Sequence, residues 1–169
     1  MQPRKEKINA GFEFVEARGV IGCAFYSHFQ LLLHPQPYVV SVLDGDTIEV
    51  LHNTYPERIR LSGIDCPEKR QAYGNNAKHA ASALVFGKDI ILDTHGQDKY
   101  RRTLADVFLR DGTHVNHTLV KDGWCWWYRK DAPGDAVLER LETEARESKK
   151  GLWVDPKPVP PWEWRKRSR

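Results

Sequence analysis

The sequence predicts an α+β protein, a small five-stranded Greek-key β-barrel with three helices packed on it. Five short segments of strand character lie between residues 38 and 109. One helical segment follows the third of them, and two more follow the fifth. This order matches neither the βαβ alternation of parallel-sheet proteins nor a helical bundle, and a barrel of the OB-fold type fits it best.

Short apolar stretches with alternating side chains define the five predicted strands. They span residues 38–43, 47–52, 58–64, 89–94 and 103–109. The first two are joined through the turn signal of Asp44 and Gly45. In the third, Arg60 lies on the face opposite Ile59 and Leu61, because side chains alternate along a strand.

Apolar residues at helical spacing define the three predicted helices. They span residues 75–88, 111–123 and 135–151. Gly87 and Gly151 are the predicted stops of the first and third helices, because glycine commonly follows the last helical turn. His114 and His117, in the second helix, are predicted to be solvated surface residues rather than metal ligands.

The chain divides into three predicted parts. Residues 1–36 are a poorly patterned N-terminal extension, residues 37–153 are the patterned domain, and residues 154–169 are a tail rich in Pro, Trp and basic residues. The prolines predict that this tail is extended. Tryptophan side chains are predicted to anchor it by packing: Trp153, Trp162 and Trp164. The basic residues at its end suit either a solubilising terminus or weak attraction to nucleic acid.

Composition bounds the function only loosely. The 169 residues suit one domain, and a net charge of +3 is too small to establish an anionic partner. Three cysteines without a paired spacing predict neither a disulfide framework nor a zinc site. No apolar run is long enough to predict a membrane span.

The segment "VIGC" at residues 20–23 resembles a lipoprotein cleavage box. The residues before it carry two glutamates and an arginine, where a signal peptide has an apolar region. A short N-terminal extension is therefore the favoured interpretation, with export through this segment as the alternative. The compartment stays open, with a secreted or periplasmic location included.

Acidic residues occur at the ends of neighbouring predicted strands. Asp46 opens the second strand, and Asp65 follows the third. Their carboxylates can converge, and an oxygen-rich site of this kind suits a hard cation such as Ca²⁺. The alternative is that both carboxylates only cap turns. Asp44 is predicted to bond the backbone of its own turn.

Arginines and aromatic residues lie close to these strand ends in the predicted fold. Arg60 and Arg102 carry planar guanidinium groups that match phosphate oxygens, although both could equally form ion pairs with the carboxylates. The aromatic stretch at residues 123–130 suits either the core or stacking on bases. Tyr128 or Trp127 is the predicted outward member of this stretch.

The ordered set of motifs resembles the staphylococcal nuclease (thermonuclease) family. The matching stretches are "DGDT" at 44–47, "RLSGIDCPE" at 60–68, "DKYRR" at 98–102, "DGTHVNHTLVKDG" at 111–123 and "ARESKKGLW" at 145–153. Together they cover roughly residues 38–153 in order and with suitable spacing, and the tail resembles the ends of bacterial members. The resemblance implies an OB-type barrel and nuclease activity on DNA and RNA that leaves 3′-phosphate ends.

The resemblance also implies a calcium site. Asp46 and Asp65 correspond to the family's calcium-binding aspartates, and Cys66 to a threonine that gives its backbone carbonyl to the metal. Glu68 corresponds to the glutamate that activates the attacking water. Most residue types can supply a carbonyl, so cysteine in place of threonine is tolerable. The segment from Glu68 to Tyr73 is shorter than in the founding member, which implies different access to the site.

The remaining correspondences concern the substrate. Arg60 and Arg102 correspond to the two arginines that hold the phosphate, and Lys99 and Tyr100 to residues that contact the nucleotide. Arg101 replaces the family's usual glycine, which implies an altered loop or an added cation. The leading hypothesis is a monomeric, Ca²⁺-dependent endonuclease. The alternatives are a non-catalytic nucleic-acid-binding module of the same fold and an oligonucleotide-binding barrel whose carboxylates cap turns.

Overall fold

Seven strands and four α-helices occur in the part of the chain that the structure, a computed structural model, describes: residues 36–52 and 54–167. The strands are β1 (Tyr38–Val42), β2 (Thr47–His52), β3 (Tyr55–Leu61), β4 (Ile64–Asp65), β5 (Ile90–Gln97), β6 (Thr103–Leu109) and β7 (Trp126–Trp127). The helices are α1 (Gly74–Val85), α2 (Val115–Lys121), α3 (Ala136–Glu147) and α4 (Pro161–Arg167), with a 3₁₀-helix at Gly151–Val154. None of the helices in these residues is both long and apolar enough to cross a membrane.

Residues 1–35 lie outside the described residues, so of the predicted N-terminal extension, residues 1–36, only the last residue is described. The lipoprotein-like box at residues 20–23 lies there as well.

The main sheet has five strands in the order β1-β2-β3-β6-β5. All neighbours are antiparallel except β3 and β6, which run parallel. The first and last strands of this order meet, because Val39 N donates to Lys88 O at 2.9 Å and Ile90 N donates to Pro37 O at 2.9 Å. These bonds curl the sheet towards closure, and the predicted OB-type α+β fold is confirmed.

The third predicted strand, 58–64, is two strands in the structure. β3 begins earlier, at Tyr55, and ends at Leu61, and a turn at Ser62 and Gly63 separates it from β4. Gly63 has a φ of +70°, a backbone conformation that favours glycine and interrupts the strand. β4 then pairs with β7 rather than with a strand of the main sheet, and Asp65 is the last residue of β4.

The core lies inside the barrel and beneath the helices. Every second residue of β6 is buried, as the alternating pattern predicts. In α1, Ala77, Ala81 and Val85 recur every four residues and are all at most 1% exposed. Small alanine side chains let this helix lie close to the turn between β1 and β2, where the candidate site begins.

The prediction of an extended C-terminal tail is wrong for its last part, because Pro161–Arg167 forms α4. Pro161 occupies the first helical position, where the missing N–H costs nothing and the fixed φ favours the helix. The predicted three-helix count is corrected to four. Anchoring by tryptophan is confirmed at two positions: the Trp153 ring lies 4.3 Å and the Trp162 ring 5.6 Å from that of Trp126.

A disulfide joins Cys66 and Cys125, 59 residues apart in the chain. The expectation that the cysteines form no disulfide is therefore wrong. Sequence spacing carries no signal at this separation, because the fold rather than the chain brings the two cysteines together. Both are buried, and the bond ties the segment after β4 to the segment between α2 and β7.

Candidate active site

One cavity of about 620 Å³ brings together every site residue that the sequence predicts. These are Asp46, Arg60, Asp65, Cys66, Glu68, Lys99, Tyr100, Arg102 and Tyr128. They come from the β1–β2 turn, β3, β4 and the segment after it, the β5–β6 turn and the residue that follows β7. Residues far apart in the chain thus share one cleft on the side of the barrel.

A tight turn between β1 and β2 positions Asp46. The carboxylate of Asp44 accepts a hydrogen bond from Asp46 N at 3.1 Å, which confirms the prediction that Asp44 bonds its own turn. A Cβ atom at Gly45 would lie 2.7 Å from Cys66 Cβ and 2.9 Å from Ala77 Cβ. Glycine therefore permits the close approach that brings Asp46 Oδ2 within 2.7 Å of the donating Cys66 N.

Arg60 bridges the two aspartates. Its Nη1 lies 2.8 Å from Asp46 Oδ2, and its Nη2 lies 3.2 Å from Asp65 Oδ1. All three side chains are buried: Asp46 is 6% exposed, Arg60 9% and Asp65 1%. One guanidinium therefore sets the spacing of two carboxylates that come from different strands.

Burial dominates the electrostatics of these carboxylates. It raises the pKa of Asp46 to about 7, although the charge of Arg60 and the Cys66 N–H oppose the shift. Burial also raises the pKa of Asp65, and its hydrogen bond from Arg165 opposes that shift. Ionised carboxylates in this environment are stabilised by any further positive charge that enters the cavity.

Arg102 is positioned by the turn between β5 and β6. Its Nε donates to Asp98 Oδ2 at 2.8 Å, and its Nη1 donates to Thr47 Oγ1 at 3.2 Å. Asp98 also accepts from the backbone N–H groups of Tyr100 and Arg102, which fixes the turn. Arg101 adopts a φ of +62°, the left-handed conformation that suits the glycine of the family pattern.

Glu68 lies at the rim of the cavity, with its side chain 40% exposed. Its backbone N–H donates to Gln71 Oε1 at 3.1 Å, and Gln71 Nε2 donates to Val159 O at 2.6 Å. Gln71 thus connects the Glu68 segment to the C-terminal tail. The carboxylate itself is paired with Arg165 of α4, whose Nη1 lies 2.8 Å from Glu68 Oε1.

Two tyrosine side chains, Tyr100 and Tyr128, line the cavity. Tyr100 is 66% exposed, and Lys99 Nζ lies 5.0 Å from the centre of its ring. The ring of Tyr128 has its centre 5.7 Å from that of Trp162. Trp127 is only 4% exposed, so the alternative that it points outward is wrong.

The histidine pair of α2 lies outside this cavity. His114 caps the helix, and its ring stacks on that of His117 with the centroids 3.5 Å apart. Both rings are partly buried, so the prediction of a solvated surface is wrong. Burial, together with the neighbouring His117, lowers the pKa of His114 to about 4.

The donor set in the cavity fits a hard cation. Its possible ligands are the carboxylates of Asp46, Asp65 and Glu68 and nearby backbone carbonyls, and oxygen donors of this kind suit Ca²⁺. Among the described residues no three His, Cys, Asp or Glu side chains form a ready-made metal cluster. The guanidinium groups of Arg60 and Arg165 form ion pairs with these carboxylates, which shows that the site attracts cations.

Two residues of the site were missed from the sequence, Arg165 and Gln71. The signal for Arg165 was present, because "PPWEWR" at residues 160–165 combines prolines at a helix start with aromatic residues. Gln71 carried no comparable signal. Its role follows only from the contacts that it makes with Glu68 and with the tail.

Known proteins resemble this chain over most of its length. A family model described as staphylococcal nuclease homologue matches residues 58–155. An Escherichia coli O157:H7 protein named "Uncharacterized endonuclease" is 46% identical over 129 residues, covering 76% of this chain and 84% of its own. "Protein ParB" of Escherichia coli is 42% identical over 77% of this chain and 78% of its own. "Micrococcal nuclease" of Shigella flexneri is 39% identical over 78% of this chain and 80% of its own.

Proposed function

The chain belongs to the staphylococcal nuclease family, and on this basis we propose that it is a Ca²⁺-dependent endonuclease. Its substrates in this proposal are DNA and RNA, and its products carry 3′-phosphate ends. The observation that carries the proposal is the convergence of five charged side chains in one cavity: Asp46, Arg60, Asp65, Glu68 and Arg102.

Asp46, Asp65 and the backbone carbonyl of Cys66 are the proposed calcium ligands. The turn at Gly45 and the Cys66–Asp46 hydrogen bond hold the two segments together before any ion arrives. A bound Ca²⁺ would polarise a phosphate oxygen and make a nearby water more acidic. The protein's part is to hold the carboxylates in place, which Arg60 does from between them.

Arg60 and Arg102 are the proposed phosphate-binding residues. Negative charge grows on the phosphate oxygens during attack, and preorganised guanidinium donors stabilise that charge without reorganisation. Both side chains are held by ion pairs, with Asp46 and Asp65 for Arg60 and with Asp98 for Arg102. Loss of either arginine is expected to lower the rate by about 10² to 10³, as for other preorganised donors.

Glu68 either takes the proton of the attacking water or orients that water. Its carboxylate is at the rim of the cavity, where water enters, and its backbone is fixed by Gln71. Lys99, Tyr100 and Tyr128 are the proposed contacts to the nucleotide, because aromatic faces stack on bases whatever the sequence.

One assay tests this function. Single-stranded DNA and RNA are each incubated with the protein in Ca²⁺ and then in excess chelator, and the products are resolved by length. We expect internal cleavage that stops with the chelator. Glu68→Gln should lower the cleavage rate by about 10² or more, whereas Glu147→Gln, an exposed change on α3, should leave it unchanged.

The products and the residual binding separate the alternatives. If the ends carry 3′-phosphates, a polymerase extends them only after phosphatase treatment. Cleavage that persists in chelator contradicts the calcium dependence. Tight binding of DNA without cleavage by the unaltered protein would establish a non-catalytic module instead.

A further inference from the structure

The C-terminal helix α4 places a third arginine on the acidic side chains of the site. Arg165 Nη2 lies 2.6 Å from Asp65 Oδ2, and its Nη1 lies 3.1 Å from Asp65 Oδ1. The same Nη1 lies 2.8 Å from Glu68 Oε1. One guanidinium therefore contacts both oxygens of a buried carboxylate and one oxygen of its neighbour.

These contacts occupy both oxygens of Asp65, one of the proposed calcium ligands. Both oxygens of Asp65 are already within hydrogen-bond distance of Arg165, and Oδ1 is also 3.2 Å from Arg60 Nη2. A Ca²⁺ ion sits about 2.4 Å from its oxygen ligands. At that distance on Asp65 the ion would lie close to the Arg165 guanidinium, and two cations inside a buried site repel each other strongly.

Other contacts hold α4 in place without Arg165. Gln71 Nε2 binds the carbonyl of Val159 just before the helix, and Pro161 is buried. The ring of Trp162 contacts those of Trp126 and Tyr128, with centroids 5.6 Å and 5.7 Å away. The helix therefore presents Arg165 to the cavity, while the charged group itself is free to leave the carboxylates without undocking the helix.

We propose that α4 is a built-in inhibitory element in which Arg165 occupies the cation position of the site, competes with Ca²⁺ for Asp65 and pairs with the neighbouring Glu68. Calcium binds only after the guanidinium has moved away. The consequence for hydrolysis rests on the proposed function, whereas the competition itself is a property of the carboxylates. A site covered about 90% of the time by Arg165 has an apparent calcium affinity about tenfold weaker than the open site.

Direct calcium binding tests the competition without any nucleic acid. Ca²⁺ alone is titrated calorimetrically into the full chain, into Arg165→Gln and into Arg167→Gln. Arg167 is on the same helix and is 66% exposed, paired with Glu163, so its change is the matched control. We expect Arg165→Gln to bind Ca²⁺ about tenfold more tightly or better, and Arg167→Gln to bind as the unaltered chain does. Arg165→Lys keeps a cation on the helix and should restore much of the weaker binding.

Thermal unfolding provides the check on folding. In chelator, Arg165→Gln should unfold at a lower temperature than the unaltered chain, because two carboxylates lose a partner. Added Ca²⁺ should raise the unfolding temperature of this variant more than that of the unaltered chain. Unchanged or weaker calcium binding in the folded Arg165→Gln protein overturns the proposal. The proposal is also overturned if Arg165→Gln cleaves nucleic acid more slowly at saturating Ca²⁺ while its calcium affinity is unchanged. That result would show that Arg165 takes part in the reaction.

The two proposals fail in different ways. If Arg165→Gln binds Ca²⁺ more tightly but no form cleaves nucleic acid, the proposed hydrolysis is wrong and the competition stands. If all forms bind Ca²⁺ equally and cleave, only the competition is wrong. If no form binds Ca²⁺, both the calcium dependence and the competition are overturned.

Discussion

Two aspartates separated by one residue have different tasks in this structure. Asp44 accepts a hydrogen bond from the backbone of its own turn, whereas Asp46 is buried against Arg60 and the Cys66 N–H. We expect Asp46→Ala to abolish calcium-dependent cleavage. Asp44→Ala should keep cleavage within a few-fold but lower the free energy of unfolding by about 1 kcal/mol, the usual value of one such hydrogen bond.

Both variants are compared by cleavage rate at saturating Ca²⁺ and by urea unfolding. Equal loss of cleavage in the two variants, with both folded, would contradict this division of roles.

The imidazole of His114 makes the free energy of unfolding depend on pH. Its pKa falls from the ordinary 6.5 to about 4 in the folded chain, because of burial and the neighbouring His117, while Asp106 and Asp135 oppose the shift. Between these values the unfolded chain binds the proton and the folded chain does not. Stability contributed by the neutral ring is therefore complete above about pH 6.5 and is lost as the pH falls towards 4.

His114→Asn removes this titration and keeps a good helix cap. Unfolding free energies of both proteins are measured from pH 7.5 to 4. The unaltered chain should lose about 1 to 2 kcal/mol more than the variant over this range, after allowance for the partial exposure of the ring. Parallel profiles would show that His114 does not titrate in this way.

At the scale of elements, the disulfide ties the proposed metal-ligand segment to the segment between α2 and β7. Cys66 follows β4 and donates its N–H to Asp46, and Cys125 lies between α2 and β7. The double change Cys66→Ala with Cys125→Ala should lower the free energy of unfolding by about 4 kcal/mol, given the 59-residue separation. It should also weaken calcium binding, because the Cys66 segment is less restrained.

Urea unfolding and calcium titration of the double variant measure these two effects. Dithiothreitol should reproduce both in the unaltered chain and change nothing in the double variant. A loss of stability with unchanged calcium affinity would restrict the disulfide to a role in folding.

Elements with strong local patterns were predictable from the sequence. Alternation in β6 and alanine spacing in α1 depend on neighbouring residues alone, and the structure has both elements within a few residues of their predicted bounds. The break at Ser62 and Gly63 was not predicted, because Leu61 before it and Ile64 after it are apolar and suit a continuous strand. The pairing of β4 with β7 that follows from this break joins distant parts of the chain.

The seven residues of α4 escaped prediction for a different reason. A helix this short is marginal by itself and forms because tertiary packing holds it. Its two supports, Trp162 on Trp126 and the bond from Gln71 to Val159, are contacts between distant parts of the chain. By resemblance the sequence predicted six of the cavity's charged residues, Asp46, Arg60, Asp65, Glu68, Lys99 and Arg102, and it missed Arg165.

At the scale of the whole molecule, the C-terminal segment contacts the barrel domain as far as α4. The domain begins where Pro37 O accepts from Ile90 N, and α4 reaches back to Asp65. We propose that residues 37–167 form one folding unit, with the predicted tail as part of it. Limited proteolysis should then spare residues 154–160; early cutting within that stretch would make the tail a separate segment.

The covalent link between Cys66 and Cys125 has a consequence for the cell that makes this protein. Disulfides form in oxidising compartments and are rare where thiols are kept reduced. In a chain still inside a reducing compartment Cys66 and Cys125 would be free thiols and the proposed calcium site would be loosened, so the genome of the producing cell would be exposed only to a weakened nuclease. The bond would form, and full activity with it, where the environment is oxidising. Folding and protection of the producer would then depend on the same chemical step.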